Sequence, residues 1–176
     1  MYDNLLQLVS YVQKKFHRCA MRSKDAKKIT QEFSEKIGIS INQFFENKIH
    51  IESCQIEAST LFLFNGKPLL AKSDNILFFT LFFDEIFSLF PKVVVDMGAV
   101  PYVCKGADVM APGIQEIHGE FNENGLVLVV DERHRKPLAV GLALFSSEEM
   151  KKIDRGKTIK TLHYVGDKLW NGLKGS

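Results

Sequence analysis

Catalysis and metal binding need side chains that attack, transfer protons or grip ions, and this sequence offers few such groupings. Cys19, Cys54 and Cys104 lie far apart with no CxxC pair, so neither a disulfide framework nor a zinc site is encoded. They are expected to be reduced, mostly buried thiols. No serine sits in a G-x-S-x-G turn and Cys104 lacks a catalytic context, which leaves nucleophilic chemistry without a base. His118, Glu120, Asp131 and His134 have ligand chemistry, but they fall in loops without the H-x-x-x-H spacing that a helix would fix. No metal and no cofactor is expected. The acid pairs Asp131-Glu132 and Glu148-Glu149 suit a turn and a helix cap better than paired acid-base work. The expectation is a protein that is not an enzyme.

Two groupings suit the binding of charge. Residues 93–114, VVVDMGAVPYVCKGADVMAPGI, combine a buried-strand valine run with glycines and prolines at turn positions. Asp96 offers an N-cap oxygen to a short helix over 97–105, Gly106 is placed to end it in the left-handed conformation, and residues 107–111 read as a second short strand. Glycines at 106 and 113 leave a loop with little side-chain cover, whose backbone amides could approach a ligand closely, with Lys105 adding charge, or serve only for turns and close packing. The second grouping is Arg133-His134-Arg135-Lys136, a compact basic turn that suits either a phosphate contact or an ordinary solvated turn. A weaker basic run is Lys151, Lys152, Arg155, Lys157 and Lys160, which fits a solvated face.

These groupings need elements to hold them. Residues 125–131 and 137–145 read as a strand pair around the basic turn, and Ser146-Ser147-Glu148-Glu149 has capping-box spacing before a helix that runs to Arg155. Residues 158–165 form a further strand, with Trp170 closing a barrel end. Upstream, apolar residues of 3–19 make one face of a helix with a basic tail. A second helix over 24–36, capped by Ser23 and ended by Gly38, carries a run in which 14–28 hold seven Lys/Arg and one acid. Strands over 49–56 and 59–64 precede an Asn65-Gly66 hairpin turn. Residues 75–90 hold six phenylalanines, and Thr80, Asp84 and Ser88 recur every four residues. That spacing predicts a helix buried nearly all round, its rings packed in a core.

Composition sets outer limits. A chain of 176 residues with 45% hydrophobic content fits one domain or two small ones with a real core. No long uncharged apolar run and no signal-peptide pattern is present, so a cytoplasmic protein with no membrane partner is expected. The net charge of +2 is too small to announce nucleic-acid binding; residues 93–176 hold 11 basic and 11 acidic side chains. Any such binding must come from a local patch.

The string VDMGAVPYVCKGADVMAPGI resembles the opening of the PUA domain, the RNA-binding module of pseudouridine synthases and archaeosine transglycosylase. LHYVGDKLW, residues 162–170, looks like its closing strand. Residues 21–92 are similar to the pre-PUA domain of a family of translation factors that includes malignant T-cell-amplified sequence protein, the N-terminal part of ligatin and archaeal stand-alone relatives. The resemblance implies an α+β fold: an N-terminal helical extension (1–20), a small α+β pre-PUA domain (21–92) and a PUA pseudo-β-barrel with two short helices (93–176). It implies a translation-apparatus protein that binds structured RNA, small-subunit rRNA or tRNA, through Lys105, Gly106, Ala107, Asp108, Val109, Met110, Pro112 and Gly113. An accessory role in ribosome assembly or RNA modification, and a protein-interaction module without RNA, are the alternatives. Relatives that bind a protein partner carry proline and basic residues where this chain has LFFTLFFDEIFSL (77–89), so their partner contacts do not transfer.

Overall fold

A computed structural model describes residues 17–38, 40–45 and 49–174. These divide into two compact units, one running up to Glu85 and including 171–174, the other Ile86–Trp170.

The first unit is an antiparallel meander of five strands, β1 (Arg18–Ala20), β2 (Ile51–Ile56), β3 (Ser59–Phe64), β4 (Lys67–Ser73) and β5 (Ile76–Phe79), with one helix, α1 (Ser23–Ile37). The expected N-terminal helix lies mostly outside the described residues, but its last part is corrected: Arg18 and Cys19 pair with Cys54 and Ser53 of β2. Cys19 is therefore exposed on an edge strand, whereas Cys54 is buried and burial pushes its thiol up to about 11. Asn65 and Gly66 both take positive φ, 50° and 83°, the requirement of a tight primed hairpin turn. α1 buries Ile29 and Phe33, one turn apart, and Lys72 on β4 reaches Glu32 at 3.0 Å. Its N-cap is Arg22 without a side-chain cap bond, so Ser23 opens the helix and does not cap it; Gly38, at φ 71°, ends it as expected.

The helix expected over 75–90 does not form. Asp74 and Asn75 both adopt positive φ, 49° and 62°, and turn the chain into a second hairpin, so residues 76–79 pair with β4 as β5. Short-range turn chemistry and the strand preference of Ile-Leu-Phe-Phe outweigh the four-residue polar spacing. Thr80 is wholly buried: its amide donates to Leu69 O at 2.8 Å and its hydroxyl to Pro68 O. The rings of Phe78, Phe79, Phe82 and Phe83 are buried, with Phe83 edge-on to Phe44 at 5.3 Å.

The second unit is a six-stranded sheet of β6 (Lys92–Val95), β7 (Val109–Met110), β8 (Ile114–His118), β9 (Leu126–Asp131), β10 (Pro137–Ala143) and β11 (Lys157–Tyr164), in the order β7-β11-β10-β9-β6-β8. β6 and β9 run parallel and all other neighbours are antiparallel. The two edge strands, β7 and β8, are consecutive in the chain and joined by one 3-10 turn, Ala111–Gly113. A sheet whose two edges are tied by three residues must curl, and this one is a half-barrel. Val93, Val95, Val109, Val127, Val129 and Ile159 fill its inside. The fold is mixed α+β, as expected.

Two short helices belong to this unit, α2 (Val100–Val103) and α3 (Ser147–Met150), and a third, α4 (Lys168–Lys174), begins at its end. The capping box before α3 is complete, with Ser146 Oγ accepting from Glu149 N and Glu149 returning to Ser146 N at 3.0 Å. α2 and α3 are both shorter than expected, because Asp96 is followed by a turn before Val100 and because α3 stops at Met150. Trp170 sits in α4, not on a closing strand: Asp167 Oδ1 accepts from Trp170 N at 2.7 Å and starts that helix. β8 was not legible as a strand.

Candidate nucleic-acid interface

The stretch that follows β6 is fixed at each step. Asp96 Oδ1 accepts from Ala99 N at 2.7 Å and starts α2. Gly106 ends the helical turn at φ 85°, and a Cβ there would lie 2.7 Å from the ring of Tyr164, so both conformation and space demand glycine. β11 then grips the chain. Thr161 donates from its hydroxyl to Ala107 O at 2.9 Å and from its amide to Asp108 Oδ1 at 2.8 Å, and Thr158 donates to Val109 O at 3.1 Å. Asp108 also meets Lys157 at 3.2 Å. Asp96 N closes the loop onto Gly113 O at 2.9 Å.

Between α2 and this loop lies a groove of about 600 Å³, with Asp96, Ala99, Tyr102, Met110, Pro112 and Lys157 among its lining. Tyr102 is 68% exposed and Met110 50% exposed, so an aromatic ring and a thioether stand open to solvent beside an apolar floor that includes Val103 and Val109. Soluble proteins seldom leave such side chains uncovered together without a use for them.

Of the residues expected in the site, Ala107, Asp108, Val109, Met110, Pro112 and Gly113 line the groove. Lys105 and Gly106 lie outside it, Lys105 exposed on the turn. The amides of Lys105, Gly106 and Ala107 donate to Tyr102 O, Val103 O and Tyr102 O at 2.9–3.0 Å. They are spent on ending the helix and do not supply phosphate donors, which corrects the backbone-amide mechanism expected at these positions. Tyr102 was missed. A sequence shows a tyrosine next to an inward valine, and only the length of α2 reveals which of the two faces out.

The basic turn between β9 and β10 is held from inside. Asp131 is 4% exposed, and its carboxylate accepts from His134 N at 2.6 Å and Lys136 N at 2.8 Å. Burial works to raise its pKa, but these donors, with Arg133, outweigh it and hold the carboxyl below its ordinary value. Arg135 sits at φ 55°. Glu132 accepts from Met97 N at 3.0 Å and donates its own amide to Val95 O, which joins the turn to the start of the groove stretch. Asp131 thus faces inward, and Glu132 is exposed but engaged by Met97 N, while Arg133, His134, Arg135 and Lys136 are exposed. Arg135 pairs with Glu116 at 2.7 Å, and Glu116 takes His118 at the same distance. His118, Glu120, Asp131 and His134 do not converge; among the described residues no three His, Cys, Asp or Glu are placed to share an ion.

A curled sheet tied edge to edge, with its open groove beside α2, defines a class: residues 91–165 match the PUA domain. The chain is 41% identical over 157 residues to an uncharacterised protein of Methanocaldococcus jannaschii, covering 88% of this chain and 95% of that one. It is 30% identical over 151 residues to translation machinery-associated protein 20 of Saccharomyces cerevisiae, covering 77% and 80%. A crystal structure of a hypothetical protein from Pyrococcus horikoshii aligns with a TM-score of 0.74 at 32% identity, over 89% of this chain and 99% of that one. The chain belongs to the PUA-domain family of translation machinery-associated protein 20 and the malignant T-cell-amplified sequence proteins. No described helix is long and apolar enough to cross a membrane.

Proposed function

We propose that this chain is a non-enzymatic RNA-binding protein of the translation apparatus, which engages structured RNA, small-subunit rRNA or tRNA, through its second unit. The observation that carries the reading is the open pairing of Tyr102 and Met110 over an apolar groove. An unpaired base stacks on an exposed ring at a gain of about 1–3 kcal/mol, and a thioether makes a soft second wall. Lys105 beside the groove and Arg133 and Lys136 on the basic turn supply charge for the flanking phosphates, with the His134 ring as a further polar contact. Asp131 is buried beneath the turn and Glu132 is engaged by Met97 N, so a locally basic face is left in a half of the chain that is neutral overall. The family relation to a translation machinery-associated protein supports translation as the setting.

The test is an anisotropy titration with tRNA and with purified small subunits at about 50 and 200 mM salt, spanning the range over which phosphate contacts lose affinity steeply. Saturable, salt-sensitive binding is expected, and Tyr102→Ala should weaken it about 5- to 100-fold while leaving its salt dependence unchanged, since stacking releases no counterions. Absence of saturable binding to either RNA sinks the proposal.

A further inference from the structure

Away from the groove, strands β6, β8 and β9 enclose a depression of about 420 Å³ lined by Lys92, Val94, His118, Val130 and Arg135. Its apolar lining is Val94 and Val130, both buried. Its rim is cationic. Lys92 pairs directly across the strands with His118, and Val94 with Glu116. This register sets Glu116 beside the depression, where its carboxylate meets two of the three basic side chains. One oxygen takes Arg135 Nη2 at 2.7 Å and the other takes His118 Nε2 at 2.7 Å.

Arg135 and His118 hold the Glu116 carboxyl below its ordinary value, in that order. The backbone of Arg135 is held in the left-handed region by its amide hydrogen bond to Asp131 O at 3.1 Å, which anchors the side chain at its root. A planar oxyanion gripped by guanidinium and imidazole, with an ammonium across the strand, has the donor set of a phosphate site. The anion now in place belongs to the protein, and it is exposed enough for water to compete for it. The neighbouring acid, Glu120, is exposed beyond His118, while Asp131 and Glu132 point to backbone donors elsewhere.

We propose that Lys92, His118 and Arg135 form a second phosphate site, in which Glu116 stands in for the phosphate in the free protein and yields to a backbone phosphate when RNA binds. Arg133 and Lys136 on the same turn extend the track. RNA as the source of that phosphate rests on the function proposed above; the site itself does not.

The salt slope of RNA binding reads the site. Arg135→Ala should lower the slope by about 0.7, so that its penalty at 50 mM salt exceeds that at 200 mM by about 2- to 3-fold. Glu116→Gln should tighten binding, because it removes the competing charge while keeping the side chain's shape. A pair that only braces the fold predicts the opposite sign. Inorganic phosphate, titrated by 15N amide shifts, provides the arm without RNA: shifts at His118 and Arg135 are expected in the native chain and not in Arg135→Ala. Shifts with phosphate but no RNA binding would leave this site standing and fell the RNA reading. RNA binding with an unchanged slope in Arg135→Ala, or no tightening in Glu116→Gln, overturns the site alone.

Discussion

The groove and the basic turn of the second unit are built by opposite means. The groove wall is held by close packing and backbone bonds: Gly106 lies where the Tyr164 ring leaves no room for a Cβ, and Thr158 and Thr161 pin the loop to β11. The turn is held by one buried carboxylate, Asp131, that collects the amides of its own loop. A surface held by packing can present a ring and a thioether but resists added volume. A surface held by a charge can present four basic side chains but depends on the ionisation of that one group. Each kind of support therefore fails under a different insult.

The largest effect is expected from the packed side. Gly106→Val adds a branched Cβ at φ 85° against the Tyr164 ring. Left-handed strain and overpacking together should cost about 3 kcal/mol in denaturant unfolding. Gly156→Ala is the control, with φ 95° but nothing within 4 Å. It should cost only the strain, about 1 kcal/mol. Equal costs at the two positions would mean that Tyr164 moves aside and that packing does not fix the groove wall.

The charged side should give a smaller loss with a pH signature. Asp131→Asn keeps the shape but gives up charge-assisted acceptance from His134 and Lys136, which should cost about 2 kcal/mol at neutral pH. The folded-state pKa of Asp131 lies below its unfolded value. Its contribution is therefore complete above the unfolded value of about 4 and is lost as pH falls through the lower folded value. Native and Asp131→Asn stabilities should converge on acidification. A gap that stays constant with pH would show that the carboxylate's charge does not hold the turn.

The same contrast separates what was legible in the sequence from what was not. Local devices read well: Asn65-Gly66 turns a hairpin, Gly38 and Gly106 end helical turns in the left-handed region, and Ser146 with Glu149 closes a capping box. Readings that relied on period alone went wrong. Thr80, Asp84 and Ser88 mimicked a helix face, while the Asp74-Asn75 turn that decides the segment carries no glycine to mark it. β8 escaped because a register shift opposite Val94 and Val95 puts Ile114 and Ile117 three residues apart on facing positions, which breaks the two-residue alternation. In the candidate site, glycine and proline placement marked the turns, whereas loop residues 107–110, 112 and 113 came from the resemblance to the PUA domain. Tyr102 and the Glu116–Arg135 pair were not, because exposure and cross-strand register exist only after the sheet has curled.

The smallest predicted effect tests whether the two surfaces grip one RNA. Lys105 stands beside the groove and Lys136 on the turn, both exposed. If a single strand runs over both, Lys105→Ala and Lys136→Ala should each flatten the salt slope by about 0.7, and the double variant should flatten it by about twice that. Neither side chain supports the fold, so the unfolding midpoint should stay unchanged in all three variants. If only Lys105 matters, RNA is confined to the groove and the turn is an ordinary solvated loop. If only Lys136 matters, the ring and thioether at Tyr102 and Met110 serve a partner other than RNA, and the acid-sensitive support of Asp131 becomes the determinant of binding. Equal and additive slopes would join the packed surface to the charged one, with Glu132 and its bond to Met97 as the brace that holds them in register.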